Sequence, residues 1–385
     1  MPVDSLPPAK TPKAPWRPKN CDGIGLILQG GGALGAYQAG VYQAMHEAGL
    51  EPDWVAGVSI GGVNGAIIAG NKPEDRMDCL RAFWKKITDR RIWSFTPDGD
   101  DPRKLRNAWS SFTTMLLGQP GFFKPNVPNP WLSQRGAQTS TAFYDSEPLR
   151  HTLHELIDFD RLNSKVTRYA CGAVNVTSGN FIYFDNHRHQ IMPEHIMASG
   201  ALPPALPMVH IGTDHFWDGG LVSNTPLQHV LENIGSADML LFQVDLFSAR
   251  GPLPRDMHEV LARQKDIQYS SRTRLVTDYF SKQHRKDLLI RRILDKLDDA
   301  ALDAEELAEK RRLANLAQAA IVHLIYQQTA YEGQAKDYEF SATSMREHWD
   351  AGYRDTERTL RRTDWITMMP TDHGIIVHDI HRAEE

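Results

Sequence analysis

Gly23-Ile24-Gly25-Leu26-Ile27-Leu28-Gln29 runs into Gly30-Gly31-Gly32-Ala33-Leu34-Gly35, and about two dozen residues further on the chain reads Gly57-Val58-Ser59-Ile60-Gly61-Gly62. Ile24 to Gln29 is short, apolar and bounded by glycine, the pattern of a buried parallel strand. The glycines behind it permit positive φ and let backbone N–H groups face an approaching oxygen. Ala36 to Ala48 then carries Val41, Ala44, Met45 and Ala48 at a helical period that stops at Gly49, a C-cap residue. The positive end of that helix adds to the loop amides and makes an oxyanion site. Asp53 to Val58 reads as a second strand and Gly62 to Gly70 as the helix behind it. Ser59 therefore occupies a G-x-S-x-G turn at the carboxyl end of a strand, where open α/β sheets hold ligands. An anion cradle and an attacking group lie side by side in an α/β fold.

A serine alcohol is a weak nucleophile without a base. The candidate is Asp218 in His215-Phe216-Trp217-Asp218-Gly219-Gly220, a carboxylate on a glycine-flanked turn after apolar residues. The segments Gly30 to Gly35, Gly57-x-Ser59-x-Gly61 and Asp218-Gly219-Gly220, in that order, resemble the patatin-like phospholipase family. Ala198-Ser199-Gly200-Ala201-Leu202-Pro203-Pro204 is similar to the family's segment ahead of the aspartate. The resemblance covers residues 22 to 245, more than half of the chain.

The resemblance implies a three-layer α/β/α fold with a mostly parallel central sheet, and a Ser-Asp dyad with no catalytic histidine. Ser59 attacks an ester carbonyl, Asp218 takes its proton, and the amides of Gly31, Gly32 and Ala33 hold the oxyanion. Gly30, Gly35, Gly57, Gly61, Gly219 and Gly220 support the three motifs. No cofactor and no metal enter the scheme. The implied substrate is a lipid acyl ester such as a phospholipid or monoacylglycerol, and a hydroxyacid oligoester suits the same site. Many family members carry Arg or Lys after the glycine run, where this chain has Leu34; the backbone donors do not depend on it.

With 385 residues, 41% hydrophobic, 9% aromatic and 24% charged, the chain has material for a sizeable core. A net charge of -5 makes no electrostatic case for nucleic acid. Cys21, Cys79 and Cys171 are scattered and odd in number, against a disulfide framework or zinc site and in favour of a reducing, cytoplasmic setting. Residues 1–20 interleave Pro2, Pro7, Pro8, Pro12, Pro15 and Pro18 with four basic residues and lack a signal-peptide run; they read as a disordered tail. Residues 21–250 read as the catalytic domain and 251–385 as a mainly helical C-terminal region.

Within the first of these, Pro73 to Arg90 reads as an amphipathic helix capped by Asn71, Ser146 to Ile157 as a helix, and Glu194 to Ser199 as a short helix. Val166 to Asn175 and Phe181 to Phe184 read as strands, and Met239 to Leu246 as the last strand of the catalytic sheet. Between Ile92 and Phe143 the periodicity dissolves. Residues 119–132 are an insertion-like loop whose Phe122, Phe123, Trp131 and Leu132 either form a lid or membrane-touching flap over the serine or pack onto the domain. His187, His189 and His195 follow no ligand motif and read as surface histidines. Asp98 to Asp101 reads as a solvated turn.

Beyond residue 250, Leu302, Leu313, Leu316, Ala320 and Leu324 keep a helical step through one long segment, which packs on the catalytic domain or forms a homo-oligomer seam. Met345 to Thr359 reads as a helix and Gly374 to Ile380 as a strand. Residues 336–362 are similar to a tail that follows the patatin domain in a bacterial subgroup.

Competing readings make distinct demands. Gly30, Gly32 and Gly35 satisfy a dinucleotide fingerprint with Asp53 as its ribose ligand, yet Asp53 opens a strand where such an acid belongs at a strand's end. A Ser-His-Asp hydrolase would recruit His373 or His378, but places its nucleophile after several strands rather than the second. A non-catalytic scaffold would need neither Ser59 nor Asp218. The reading carried forward is an acyl hydrolase whose partners are an acyl ester or lipid, with peripheral membrane contact.

Overall fold

The computed structural model describes residues 6, 10–88, 100–328, 332–333, 335–362 and 374–379. Strands β1 (Gly23–Leu28) and β2 (Trp54–Val58) are buried at every position and pair in parallel, Gly25 opposite Trp54. A two-residue ribbon, β3 (Lys124–Pro125) with β4 (Tyr144–Asp145), stands apart from the main sheet. That sheet adds β5 (Arg168–Asn175), β6 (Phe181–Asp185), β7 (Val209–Ile211), β8 (Asp214–Asp218), β9 (Met239–Asp245), β10 (Ala319–Ile325) and β11 (Ile375–Asp379). Its order is β11-β10-β9-β1-β2-β5-β8-β7, with β6 also on β5. From β11 to β5 every pairing is parallel, whereas β6, β7 and β8 join antiparallel.

The period-2 alternation of a strand separates two cores. Ile24, Leu26 and Leu28 of β1 join Val322 and Leu324 of β10 in one, under α1 (Ala36–Glu47), α2 (Ile60–Ala69) and α3 (Pro73–Thr88). Ile27 joins Leu241 and Ile321 in the other. After α4 (Asp100–Leu117), α5 (Glu147–Leu156), α6 (Phe159–Asn163) and α7 (Pro193–Ser199), that second face is covered by α8 (Leu227–Glu232), with Leu227, Val230 and Leu231. The C-terminal helices are α9 (Met257–Tyr269), α10 (Thr273–Leu294), α11 (Ala304–Ala314) and α12 (Ala342–Arg361). The result is a three-layer α/β/α fold with a mostly parallel sheet and a helix-rich C-terminal region.

Strand β5 decides where the site forms. Its one edge carries β6 along residues 170–174. The other edge is shared: β2 takes Arg168 to Gly172, ending with Val58 opposite Gly172, and β8 takes over at Ala173, opposite Asp218. Because β2 runs with β5 and β8 against it, their ends approach each other. Ser59 follows the last residue of β2 and Asp218 is the last residue of β8, so residues about 160 apart in sequence meet at one edge.

Several expectations are corrected. The long helical segment stops at Ala314, and Ala319 to Ile325 is β10, paired residue for residue with β9 from Met239 to Asp245. A strand buried on both faces has no polar gaps, so a four-residue spacing of apolar positions fits it as readily as it fits a helix. Strand β9 is accordingly interior rather than last, and the chain beyond residue 250 completes the sheet instead of sitting beside it. Helix α12 crosses α1 where Gly40 and Gly352 meet; a Cβ on either would strike a carbonyl of the other helix at 1.9 and 2.0 Å. Asp100 and Asp101 open the helix α4 rather than a turn, and residues 98–99 lie outside the described residues. Asn71 does not cap α3: its amide donates to Ile67 and Leu156 carbonyls, while the Lys72 carbonyl accepts from Asp75 and Arg76. Of the tail, residues 10–17 form a strap, Lys13 N–H donating to the Glu47 carbonyl and Trp16 to Gly49 and Ala48 carbonyls. Residues 1–5 and 7–9 lie outside the described residues.

Candidate active site

The elbow is forced by glycine on both sides of Ser59. A Cβ at Gly57 would meet the Gly61 carbonyl oxygen at 2.2 Å, and one at Gly61 the Leu28 oxygen at 2.4 Å. Ser59 itself takes φ 54° and ψ −126°, a conformation that costs a non-glycine residue on the order of 1–3 kcal/mol and is kept where surrounding structure over-determines it. That support is visible. The Ser59 N–H donates to Ser199 Oγ at 3.0 Å, Ser199 being fully buried at the end of α7, and the Ser59 carbonyl accepts from Val63 to start α2. Ser59 is left half-buried and lines a cavity.

Asp218 is held as firmly. Its N–H donates to the Ala201 carbonyl at 3.0 Å, and its Oδ1 accepts from the Gly220 N–H at 2.7 Å. The carboxylate is 2% exposed and lines the same cavity as Ser59. Burial pushes its pKa up to about 7, against the opposing pull of the Gly220 amide and the Ser59 hydroxyl. Among the described residues no Lys, Arg or His forms an ion pair with it.

The glycine loop is pinned at its ends. Gly30 N–H donates to the Asn224 carbonyl at 3.2 Å, Asn224 Nδ2 donates back to the Gly30 carbonyl at 3.0 Å, and Leu34 N–H closes onto Gly31 at 3.1 Å. Gly32 has φ +54°. Gly30, Gly31 and Gly32 line the cavity that holds Ser59 and Asp218, while Ala33, Leu34 and Gly35 are buried behind them in a 3-10 turn. Leu34, fully buried, is a core residue.

The cavity, about 710 Å³ including its open mouth, is walled mainly by carbon: Ile60, Phe122, Phe123, Tyr144, Leu202, Leu206, Phe247, Tyr269, Tyr338 and Phe340. Residues 119–132 divide in two. Phe123 is buried against Tyr144 at 4.7 Å between ring centres, and the half-buried Phe122 packs on Phe340 at 5.9 Å, whereas Trp131 and Leu132 are more than 80% exposed. The base of the loop packs and walls the cavity; its tip stands in solvent.

Four contributors carry no motif of their own: Asn224, Tyr269, and the pair Asp337 and Tyr338 from the C-terminal region. Ser199 lies in the Ala198 to Pro204 segment, but its bond to the elbow amide is not readable from composition. The rival assignments separate in space. Asp53 accepts from the Ile24 N–H at 2.8 Å at the start of β1, the opposite end of the strand from the glycine loop, so it cannot hold a ribose there. His378 lies on β11, four strands from β2 and so about 19 Å away at the usual strand spacing; His373 lies outside the described residues. His187 and His189 are at the surface, but His195 is buried, its Nδ1 accepting from Met192 and its ring against Phe184.

Two family models match the chain, one described as patatin-like phospholipase over residues 26–231 and one as patatin phospholipase over residues 267–372. Lysophospholipase nte1 of Aspergillus terreus is 52% identical over 243 residues, 62% of this chain and 13% of that protein. Lysophospholipase NTE1 of Cryptococcus neoformans var. neoformans serotype D is 27% identical over 60% of this chain and 12% of its own length. Neuropathy target esterase sws of Drosophila melanogaster is 25% identical over 57% and 13%. The chain thus spans about an eighth of the length of these relatives. Among solved structures, VipD from Legionella pneumophila matches 92% of this chain and 72% of its own at 14% identity and a TM-score of 0.37, too distant to carry an argument. The first model spans more than half of the 385 residues and takes in the glycine loop, the serine elbow and the aspartate turn, so this protein belongs to the patatin-like phospholipase family.

Proposed function

We propose that the protein is a serine acyl hydrolase that cleaves lipid acyl esters through an acyl-enzyme. The observation that carries this reading is the convergence of Ser59, Asp218 and the glycine loop on one cavity walled by aromatic and aliphatic side chains. Ser59 Oγ attacks the ester carbonyl as its proton passes to Asp218, whose pKa near 7 suits a base working at neutral pH. The amides of Gly31, Gly32 and Ala33, with the N-terminal end of α1 behind them, receive the developing oxyanion. Collapse of the tetrahedral intermediate breaks the ester bond, and the leaving alcohol takes the proton from Asp218. A water then gives its proton to Asp218 and attacks the acyl-enzyme, releasing the acid and restoring Ser59.

The carbon-rich wall favours a fatty acyl chain over a hydroxyacid oligomer, whose repeating esters would leave polar groups unpaired against phenyl rings. Relatives named as lysophospholipases extend the proposal to monoacyl phospholipids. No helix of the described residues is long and apolar enough to cross a membrane. Contact with a lipid surface falls instead to the exposed Val127, Trp131 and Leu132, on the same loop as the cavity-lining Phe122 and Phe123. The decisive experiment is a fluorophosphonate probe. The wild type is expected to be labelled and Ser59→Ala not; equal labelling of the two would remove Ser59 as the nucleophile.

A further inference from the structure

Two of the chain's three Lys-Asp dipeptides meet in space. Lys265-Asp266 lies in the last turns of α9, and Lys336-Asp337 opens the 3-10 turn Lys336–Tyr338. They pair reciprocally: Lys265 Nζ with the Asp337 carboxylate, and Lys336 Nζ with Asp266 Oδ1 at 2.7 Å, where Gln328 Oε1 adds a contact at 2.8 Å. Lys336, Asp337 and Asp266 are all buried, and the lysines also lie over the Phe247 and Tyr338 rings. Surface lysines and aspartates find partners at random. Here three of the four groups are buried and all are matched in pairs, which specifies one register of α9 against the 3-10 turn, because any slip leaves a buried charge unpaired.

What that register holds is the glycine loop. The Asp337 carbonyl oxygen sits where a Gly32 side chain would be, 2.3 Å from the position of its Cβ, so the two backbones are in direct contact at the loop's left-handed residue. From the last residue of the same helix, the Tyr269 carbonyl accepts from Asn224 Nδ2, which also donates to the Gly30 carbonyl. Both ends of the oxyanion loop are thus braced from the C-terminal region, one through Asp337 and one through Tyr269.

We propose that the Lys265–Asp337 and Lys336–Asp266 clasp is a positioning device that sets the Gly31 and Gly32 amides against the developing oxyanion. Asp337 and Lys265 act through the loop backbone and not on the substrate, so their loss appears in the transition state. A displacement of a fraction of an ångström at an oxyanion donor lowers turnover without weakening ground-state binding. The inference rests on the serine-hydrolase reading.

The test uses the full chain with a short-chain soluble ester, at a temperature where melting curves show every variant folded. Asp337→Asn keeps the shape and removes the charge, Lys265→Met keeps the stem, and Lys265→Arg keeps the pair. Asp337→Asn and Lys265→Met are each expected to lower kcat about 10- to 100-fold with KM within about threefold, and the double variant to lose no more than either single. Lys265→Arg is expected to stay within about threefold of wild type. Unchanged kcat in folded Asp337→Asn, a loss confined to KM, or additive losses in the double would overturn the clasp. Fluorophosphonate labelling separates the two readings. A wild type that takes no probe at Ser59 sinks the hydrolase assignment and the clasp with it, whereas a labelled wild type with fully active variants sinks the clasp alone.

Discussion

Two buried aspartates terminate antiparallel strands of the same sheet and meet opposite fates. Asp185, at the end of β6, is 1% exposed, and Asp218, at the end of β8, is 2% exposed. Burial pushes both carboxyls up. At Asp185 that push is outweighed by His229, by the Arg168 guanidinium at 2.7 Å and by the His187 amide, and its pKa falls well below the ordinary carboxylate range. At Asp218 only an amide and a hydroxyl oppose it, and the pKa rises to about 7. Similar exposure with unequal depth and unequal partners yields a fixed anion that ties β5 to α8 in one place and, in the other, a carboxyl that titrates near neutral pH.

The largest expected effect is on chemistry. Asp218→Asn should lower kcat by on the order of 1000-fold or more, since an amide cannot take the serine proton, while leaving the fold intact. An active Asp218→Asn would erase the distinction between the two carboxylates. The matching change at the other site should act on stability alone. Asp185→Asn leaves the half-buried Arg168 without its anion and is expected to cost about 2–3 kcal/mol in denaturant unfolding, with kcat per folded molecule unchanged. A loss of turnover in that variant would show that the sheet couples the two ends.

Acidity should separate them next. A carboxyl whose folded pKa is raised favours the folded state while protonated, so the Asp218 contribution is full below the ordinary aspartate range and is lost as pH rises through about 7. Asp185, shifted down, has the opposite sign: its contribution is present above the ordinary range and is lost as pH falls. Unfolding curves for wild type and each Asn variant should therefore diverge in separate windows, between about pH 4 and 8 for Asp218→Asn and below the ordinary aspartate range for Asp185→Asn, with opposite sign. Between about pH 4 and 8, kcat/KM should rise tenfold per pH unit up to about 7 and then level. A flat profile would place the base elsewhere.

The smallest effect lies at the rim. Replacing both Trp131 and Leu132 with Ser should lower activity on phospholipid vesicles several-fold and leave a soluble ester untouched, because the loop's base and not its tip walls the cavity. Equal loss on both substrates would make the tip part of the site itself.

Legibility followed the same division. The strand before the glycines, the elbow around Ser59 and the helix α1 up to the positive-φ Gly49 are readable because neighbours within a few residues dictate them. Strand β10 was not, since a segment buried on both faces shows no period to distinguish it from a helix. The strap at residues 10–17 resembles a free tail in composition and is held by backbone bonds that composition does not encode. Ser199, Asn224 and Asp337 carry ordinary residue identities; only their partners make them part of the site.

By itself, the order of residues determined the turns: glycine where a Cβ would strike a carbonyl, a serine between two of them, an aspartate ahead of two more. Whether those turns would face one another depended on β5, whose one edge passes from β2 to β8 at Gly172 and Ala173. Likewise the raised pKa of Asp218 came from burial, and the brace on Gly32 from Asp337, far along the chain in the C-terminal region. Backbone sterics act over a few bonds and are written in sequence; desolvation and strand register are properties of what surrounds a residue, which only the folded chain supplies.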